Sequence, residues 1–254
     1  IFYTLAIQDI QDAADLLKSL YDESKKIDGY VSLEVSPYLA NDTEKTIAEA
    51  KLLWQKVNSP NLCIKIPATL AGIPAIKEVI ASGINVNVTL IFSIERYRQV
   101  MEAYLQGIEK RVERNLPVDH IASVASFFVS RVDTKVDERL HKLVDQSQSK
   151  SKIEPLLGKA AVANAALAYS AFEEVFFSPR FERLKTAGAQ YQRPLWASTS
   201  TKNPAYSDLI YVDNLVAPFS VNTVPPQTLS AILDHCEPKI RIQEQLESAS
   251  EVIE

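Results

Sequence analysis

Residues 61–69 read Asn-Leu-Cys-Ile-Lys-Ile-Pro-Ala-Thr, and the rest of the chain is interpreted outward from this stretch. Its apolar residues are partly β-branched, so it predicts a buried strand that ends at Pro67, because proline cannot donate to a strand ladder. Lys65 lies between Ile64 and Ile66, where a lysine is costly unless it is paired or neutral. A neutral, desolvated amine is a nucleophile toward carbonyl groups. The alternative is an edge strand, on which Lys65 faces water and its charge blocks pairing with other chains.

Similar apolar segments recur along the chain and alternate with segments of helical periodicity. Strands are predicted within 61–69 and at 30–35, 84–92, 121–129 and 194–197, with a sixth crossing over 209–211 and 215–217. The polar run 146–152 predicts a surface loop. Strands that are apolar on both faces and alternate with helices predict a parallel sheet covered by helices.

A barrel is the form of this sheet that the sequence favours. The chain has only six glycines and contains neither Gly-x-Gly-x-x-Gly nor a Walker loop, so the nucleotide-binding folds lose support. We therefore predict an α/β fold, namely a (β/α)8 TIM-type barrel in one domain over residues 1–254. It is expected to be incomplete, because six strands are visible where this type of barrel has eight.

The amino-acid composition argues against several kinds of binding partner. At 46% hydrophobic and 23% charged the chain is an ordinary globular protein, and its net charge of −5 with no basic stripe argues against nucleic acid. Cys63 and Cys236 form no disulfide framework and no zinc spacing, so we expect a reducing, cytoplasmic setting without a bound metal. No segment is apolar enough to span a bilayer, and a membrane partner is not expected. A homo-oligomer stays open.

Five polar side chains lie inside predicted strands, toward the C-terminal end of each: Glu34, Lys65, Asn87, Thr89 and Ser126. One buried polar residue is usually satisfied within the core, but five in successive strands each need buried partners. In a barrel they would meet at the mouth, where catalytic residues lie. Lys65 would attack a carbonyl, while Glu34 would move protons directly or through a water held by Thr89. Asn87 would hold a hydroxyl or orient the lysine.

Two cationic residues follow strands, Arg131 after the fourth and Lys202 after the fifth. A cation beside hydroxyl groups forms a receptor for anions. Arg131 with Ser126, and Lys202 with Ser200, therefore predict a phosphate site. The alternatives are a salt bridge between Arg131 and Asp133 and a solvated loop position for Lys202.

Several of these segments match strand motifs of a known family. The segments are Val31-Ser-Leu-Glu-Val-Ser36, Ile64-Lys-Ile-Pro-Ala-Thr69, Asn85-Val-Asn-Val-Thr-Leu-Ile-Phe-Ser93, Ala122-Ser-Val-Ala-Ser-Phe-Phe-Val-Ser-Arg-Val-Asp133 and Arg193-Pro-Leu-Trp-Ala-Ser-Thr-Ser-Thr-Lys-Asn-Pro204. They resemble the transaldolases, and the last segment is similar to a later strand of the longer bacterial and cyanobacterial branch. The likeness covers nearly the whole chain in the right order.

The resemblance implies an α/β barrel that forms a Schiff base with a sugar phosphate and needs no cofactor. It implies that Lys65 is the Schiff-base lysine, that Glu34 and Thr89 hold the catalytic water, and that Asn87 is the active-site asparagine. Ser126 and Arg131 resemble substrate and phosphate contacts, and Lys202 stands where a relative would offer an arginine to the phosphate. The implied reaction moves dihydroxyacetone from sedoheptulose 7-phosphate or fructose 6-phosphate to an aldose phosphate in the pentose phosphate pathway.

The sequence departs from the family pattern at its ends. The family's first strand brings an aspartate that serves as acid and base, and its second strand brings a Thr-Asn-Pro motif. Neither is present, and the C-terminal portion is short, so we expect a longer parent chain or a truncated barrel that associates through uncovered surfaces. Two other functions stay open, a simple Schiff-base aldolase that releases free dihydroxyacetone and a non-catalytic partial barrel that serves as an interaction module.

Overall fold

The computed structural model describes residues 2–146 and 150–253, in which helices and strands alternate. The strands are β1 (Val31–Glu34), β2 (Leu62–Pro67), β3 (Val86–Ile91), β4 (Ser123–Phe128), β5 (Gln192–Ala197) and β6 (Val221–Asn222). The helices are α1 (Phe2–Leu16), α2 (Lys18–Glu23), α3 (Thr43–Val57), α4 (Gly72–Ala81), α5 (Ile94–Glu113), α6 (Ser130–Gln146), α7 (Lys150–Ile153), α8 (Ala160–Phe176), α9 (Pro179–Thr186), α10 (Ile210–Asp213), α11 (Pro226–His235) and α12 (Ile242–Ile253). The strands are hydrogen-bonded neighbours in the order β1-β2-β3-β4-β5-β6. The predicted α/β fold of TIM type, with six strands in the part of the chain that is described, is confirmed.

The chain divides into two compact units. The first unit comprises the chain up to Ile91 together with Arg98–Ala125 and Val175–Gln192. The second unit comprises Phe92–Tyr97, Ser126–Glu174 and the chain from Arg193 onward.

In the first unit, β1, β2 and β3 are parallel and pair residue by residue, which places β2 between two neighbours. Ile64 and Ile66 are fully buried, and alternation along the strand puts them on the face opposite to that of Lys65. The sequence run that predicted a buried strand therefore forms one. The edge-strand alternative for Lys65 is wrong, because β2 has a hydrogen-bonded partner on each side.

Two helices begin at residues whose side chains cap the first turn. The Asp42 carboxylate accepts a hydrogen bond from the Lys45 N–H at 3.0 Å and begins α3. The Ser93 hydroxyl accepts one from the Arg96 N–H at 3.2 Å and begins α5. These caps fix where the chain leaves the strand region and turns into the covering helix.

In the second unit, β5 and β6 are parallel, with Leu195 opposite Val221. The prediction of a sixth crossing over 209–211 and 215–217 is wrong, because Ile210–Asp213 form helix α10 and the strand comes later, at Val221–Asn222. A short apolar run suits one turn of buried helix as well as a strand, and its periodicity cannot tell them apart.

Two further sequence expectations concern loops and membranes. Of the predicted polar loop over 146–152, residues 147–149 lie outside the described residues, while Lys150–Ile153 form helix α7 instead of a loop. Within the described parts of the chain, none of the helices has the length and apolar character needed to cross a bilayer.

Candidate active site

Glu34, Lys65 and Asn87 are direct neighbours on three adjacent strands. Glu34 of β1 is the register partner of Lys65 in β2, and Lys65 is the partner of Asn87 in β3. Paired residues of parallel strands present their side chains on the same face of the sheet, so these three lie side by side. Thr89 lies two residues beyond Asn87 and therefore on that face as well. We call these four residues the Lys65 cluster.

Lys65 forms an ion pair with Glu34, the last residue of β1. The Lys65 Nζ lies 3.3 Å from the Glu34 Oε2, and the two side chains are 30% and 45% exposed. Lys65 is thus partly desolvated while its amine still reaches the surface. A carboxylate at this distance can take a proton from the ammonium or return one, which is what a lysine nucleophile needs.

Asn87 is buried and is tied to the first strand of the cluster. Its Nδ2 donates a hydrogen bond to the Ser32 Oγ at 3.1 Å. Ser32 lies two residues before Glu34 and shares its face of the sheet. The sequence interpretation missed Ser32, although its two-residue spacing from Glu34 was the signal that could have identified it.

Thr89 combines burial with an unsatisfied hydroxyl group. The residue is 1% exposed, and its Oγ1 has no hydrogen-bond partner among the described residues. The next residue, Leu90, has a φ of +59°, a left-handed conformation that is uncommon for a branched side chain. Strained backbone of this kind clusters at functional sites, and here it directly follows the orphan hydroxyl.

The end of β1 is held by a second glutamate. The Ser36 N–H donates a hydrogen bond to the Glu49 Oε2 at 2.6 Å, two residues after Glu34. Burial raises the pKa of Tyr3, and the nearby carboxylates of Glu49 and Glu34 raise it further. The tyrosine is therefore a neutral phenol beside an acidic edge of the first unit.

A second group of predicted site residues lies in the other unit: Ser126, Arg131, Ser200 and Lys202. They belong to β4 and to the segments after β4 and β5, whose adjoining ends are joined by the hydrogen bond from the Val129 N–H to the Ala197 carbonyl, and we call them the Arg131 cluster. Ser126 is buried in β4, and the Arg131 Cζ lies 4.9 Å from the centroid of the Phe128 ring. The Lys202 Nζ donates to the Ser200 Oγ at 2.8 Å. Neither cation forms an ion pair with a carboxylate of the described residues, so both charges are available to an anion.

The Asp133 alternative for Arg131 is wrong. The two Asp133 oxygens accept hydrogen bonds from the Tyr211 hydroxyl at 2.7 Å and from the Ala161 N–H at 2.7 Å. Burial raises the pKa of Asp133, and these two hydrogen bonds act in the opposite direction. This carboxylate therefore belongs to the interior of the second unit and not to Arg131.

The turn that follows β5 is fixed by side chains that the sequence interpretation did not single out. Ser198 has a φ of +57°, and its carbonyl accepts a hydrogen bond from the Ser130 N–H at 3.0 Å. The Ser130 and Ser198 hydroxyl oxygens are 3.0 Å apart. The Thr199 hydroxyl donates to the Asn222 Oδ1 at 2.7 Å at the end of β6. These hydrogen bonds fix the backbone immediately before Ser200 and Lys202.

The cysteines offer no second chemistry in this region. Cys63 and Cys236 are free thiols, and burial raises the pKa of Cys63 to about 12, so it is a neutral thiol in the core. Over residues 2–146 and 150–253, His, Cys, Asp and Glu side chains form no group that could hold a metal ion.

Comparison with known proteins places the chain among relatives of one kind. A family model described as "Transaldolase/Fructose-6-phosphate aldolase" matches residues 1–254. A transaldolase of Mycolicibacterium smegmatis is 58% identical over 234 residues, which cover 92% of this chain and 62% of that protein. A transaldolase of Trichodesmium erythraeum is 48% identical over 258 residues, covering 100% of this chain and 68% of that protein. A transaldolase of Parafrankia sp. is 55% identical over 227 residues, covering 89% and 60%.

Proposed function

Because this chain belongs to the transaldolase/fructose-6-phosphate aldolase family, we propose that it carries the Schiff-base site of a transaldolase. The chain spans 60 to 68% of the length of the three relatives described above, so the activity of the whole protein is part of the proposal. The observation that carries it is the Lys65 Nζ, partly desolvated and 3.3 Å from the Glu34 Oε2, in strand register with Asn87.

The proposed chemistry begins at the Lys65 amine. After it loses a proton, the amine attacks the C2 carbonyl of a ketose phosphate to form a carbinolamine, and loss of water gives an iminium ion. Glu34, ionised again after water has left, takes the proton of the C4 hydroxyl while the iminium nitrogen accepts the electron pair of the C3–C4 bond. The bond breaks, an aldose phosphate leaves with its new aldehyde group, and a three-carbon enamine stays on Lys65. The enamine then attacks the aldehyde of an acceptor, Glu34 returns the proton to the aldehyde oxygen, and water hydrolyses the iminium to release the new ketose and the Lys65 amine.

The other members of the Lys65 cluster move protons and hold oxygen atoms. Glu34 takes the ammonium proton and supplies the proton that leaves with water, because it is the carboxylate nearest the amine. The unsatisfied Thr89 hydroxyl, on the same face as Lys65, holds the water that is lost and later returns. Asn87, anchored on Ser32, holds a substrate hydroxyl.

The phosphate of the substrate is assigned to the Arg131 cluster. Arg131 and Lys202 are cations without a carboxylate partner among the residues that the structure describes, and Ser200 adds a hydroxyl beside Lys202. Charge-assisted hydrogen bonds to phosphate are the strong kind, and Arg suits them through its planar fork. Ser126, the fourth of six residues in β4, is assigned to the sugar because it is a buried hydroxyl in the strand that precedes Arg131.

One competing activity has a specific observation in its favour, since the matching family is described as containing fructose-6-phosphate aldolases as well. The relatives reported above are all named transaldolase, which favours transfer over release. The two activities differ in the fate of the enamine, which a transaldolase passes to an acceptor aldehyde and an aldolase protonates. Dependence of turnover on an added aldose phosphate separates them.

The proposal also includes a setting, a domain and a set of partners. Two free cysteines suit a reducing compartment, so we place the protein in the cytoplasm, acting on sugar phosphates and needing no cofactor. Residues 1–254 are proposed to form one α/β-barrel domain.

The test is reductive trapping of the Schiff base. We expect incubation with fructose 6-phosphate and borohydride to leave a stable adduct on the peptide that contains Lys65. Lys65→Arg should abolish the adduct, because a guanidinium group is not deprotonated to a nucleophile.

Lys110→Arg is the matched control for this experiment. Lys110 is also ion-paired, 2.8 Å from the Glu78 Oε2, and its side chain is 34% exposed against 30% for Lys65. We expect its variant to label like the unchanged chain. Labelling of a different lysine, or no labelling in the natural protein, would show that the proposed mechanism is wrong.

A further inference from the structure

The segment 198–209 carries Ser200 and Lys202 and has no regular secondary structure between β5 and α10. A cation in such a segment is useful for recognition only if the backbone holds it in one place. Two tyrosines, one inside the segment and one just after it, connect it to the interior: Tyr206 and Tyr211.

Both tyrosines end on aspartates of α6. The Tyr206 hydroxyl donates to the Asp137 Oδ2 at 2.8 Å, and the Tyr211 hydroxyl donates to the Asp133 Oδ2 at 2.7 Å. The aspartates are four residues apart and therefore lie on the same side of the helix. We call these two pairs the tyrosine–aspartate latch. Arg131 lies in the first turn of the same helix.

The remaining aspartate oxygens bind the start of α8. The Asp137 Oδ1 accepts from the Gly158 N–H at 3.0 Å, and the Asp133 Oδ1 accepts from the Ala161 N–H at 2.7 Å. The aspartates are 7% and 2% exposed, and no Lys or Arg of the described residues forms an ion pair with them. Burying two carboxylates without a cation is costly, and apolar residues would fill the space at less cost. What the carboxylates add is a fixed direction for four hydrogen bonds.

Gly158 shows how closely the latch is packed. Its φ is +70°, and a Cβ atom there would lie 2.7 Å from the Tyr206 Cζ. A cavity of about 240 Å³ between α6 and the segment is lined by both pairs of the latch and by Lys202. Lys202 and the latch therefore line the same cavity.

We infer that the tyrosine–aspartate latch positions Lys202 relative to Arg131 and so sets the affinity for the phosphate group of the substrate. This rests on the proposed function for the identity of the ligand. The latch residues are positioning residues, because they act through Lys202 and do not touch the substrate themselves. The latch ties the Lys202 segment to the helix that carries Arg131, so the two cations keep one spacing.

The test compares phosphate binding with labelling of Lys65 by a ligand that has no phosphate. Affinity is measured by phosphorus NMR titration of the full chain with fructose 6-phosphate and with inorganic phosphate. Labelling is measured with dihydroxyacetone and borohydride. For Tyr206→Phe we expect phosphate affinity to fall about tenfold, equivalent to about 1.4 kcal/mol, and the concentration dependence of dihydroxyacetone labelling to stay unchanged.

Gly158→Ala is the second variant, because its added methyl group displaces the Tyr206 ring while every latch side chain remains. We expect the same selective loss. Gly188→Ala is its control, since Gly188 also has a left-handed φ, +102°, but its Cβ would meet Asp119 at 3.2 Å. Tyr169→Phe is the control for a lost buried hydroxyl, because Tyr169 donates to the Pro218 carbonyl at 3.2 Å. Neither control should change phosphate affinity beyond error.

The inference is overturned if either latch variant that folds binds phosphate as the unchanged chain does, or if the controls lose affinity equally. If Tyr206→Phe and Gly158→Ala both fail to fold, Tyr211→Phe carries the same expectation for the other pair. Absence of phosphate binding by the unchanged chain also overturns it. Absence of Lys65 labelling, with phosphate binding and its loss in the variants intact, overturns the proposed function alone.

Discussion

Thr89 holds a buried hydroxyl group that the fold itself does not satisfy. A buried polar group without a partner costs about 1–3 kcal/mol, so replacing Thr89 by the isosteric valine removes a cost and not a contact. We expect Thr89→Val to leave the free energy of unfolding equal or to raise it by up to about 1 kcal/mol. The rate of Schiff-base formation at Lys65 should fall by about 100-fold, because a positioned proton-transfer water is lost. Urea unfolding and timed borohydride quenching measure the two quantities.

Thr46→Val is the matched control, because the Thr46 hydroxyl has a hydrogen-bond partner. Thr46 is also buried, but its hydroxyl donates to the Leu39 carbonyl at 2.9 Å. Its valine variant should lose about 1 kcal/mol of stability, because one hydrogen bond is lost while the Leu39 carbonyl keeps the one from the Asp42 N–H at 2.8 Å, and it should label Lys65 at the normal rate. A Thr89→Val variant that behaves like Thr46→Val would assign the Thr89 hydroxyl to the fold.

The sequence indicated the residues of the Lys65 cluster but not the tyrosine–aspartate latch. The difference lies in how far apart along the chain the signals are. Glu34 ends β1, Lys65 is the fourth of six residues in β2 and Asn87 is the second of six in β3, so the prediction that Asn87 lies toward the C-terminal end of its strand is wrong. The three residues still lie side by side, because the parallel strands pair in this register. The latch gave no comparable signal, since Asp133 and Tyr211 are 78 residues apart and neither position is unusual for its segment. Tertiary pairing of this kind appears only when the chain is folded.

At the scale of elements, Arg180 of α9 forms ion pairs with two glutamates of α5. The Arg180 Nε lies 2.7 Å from the Glu109 Oε1, and its Nη1 lies 2.6 Å from the Glu102 Oε2. The hydrogen bond from Arg180 lowers the pKa of Glu102 below its ordinary value of 4.5. Arg180→Met should therefore destabilise the protein at neutral pH, by about 1 kcal/mol because the side chains are partly exposed and screened.

The pH dependence of this loss has a definite sign. A carboxylate whose pKa is lowered by folding contributes stability above its unfolded value, and the contribution is lost as pH falls through the folded pKa. The difference between the unchanged chain and Arg180→Met should thus be full above pH 4.5 and shrink below it. Urea unfolding across this range measures it, with Lys142→Met at the exposed Glu138 as the comparison. The pKa of Glu138 is also lowered, but solvent screening and the second partner Lys135 should keep that difference smaller than the difference for Arg180→Met. A difference that grows toward acid pH would contradict the assignment.

The elements were predictable where apolar runs were long and ambiguous where they were short. β2 and β3 were expected from runs of alternating and β-branched residues, and each is found with six residues. β6 has only two residues, Val221 and Asn222, and owes its position to pairing with Leu195 and Trp196. No propensity within two residues could have identified it, so the sequence assigned the sixth crossing to a more apolar segment that forms α10.

At the scale of the whole molecule, the division into two compact units stands beside the proposal of one domain. The chain passes from the first unit to the second inside β4, after Ala125, and again inside β5, after Gln192. β4 and β5 each contain residues of both units. If one unit unfolded alone, it would break part of the hydrogen-bond ladder of a strand that the other unit still needs. We therefore expect the two units to unfold together, as single domains usually do.

The two tryptophans allow each unit to be observed separately, because Trp54 lies in the first unit and Trp196 in the second. In Trp54→Phe the fluorescence reports the second unit, and in Trp196→Phe it reports the first. Within each variant, the urea transition by fluorescence should superimpose on that by far-ultraviolet circular dichroism, which reports the whole chain. Trp196→Phe also removes the hydrogen bond from the indole N–H to the Leu215 carbonyl, 3.0 Å long, and so changes the stability of the protein. The two signals are therefore compared within one variant, where this change affects both equally. Midpoints that differ between the two signals in either variant would show that the units are independent domains.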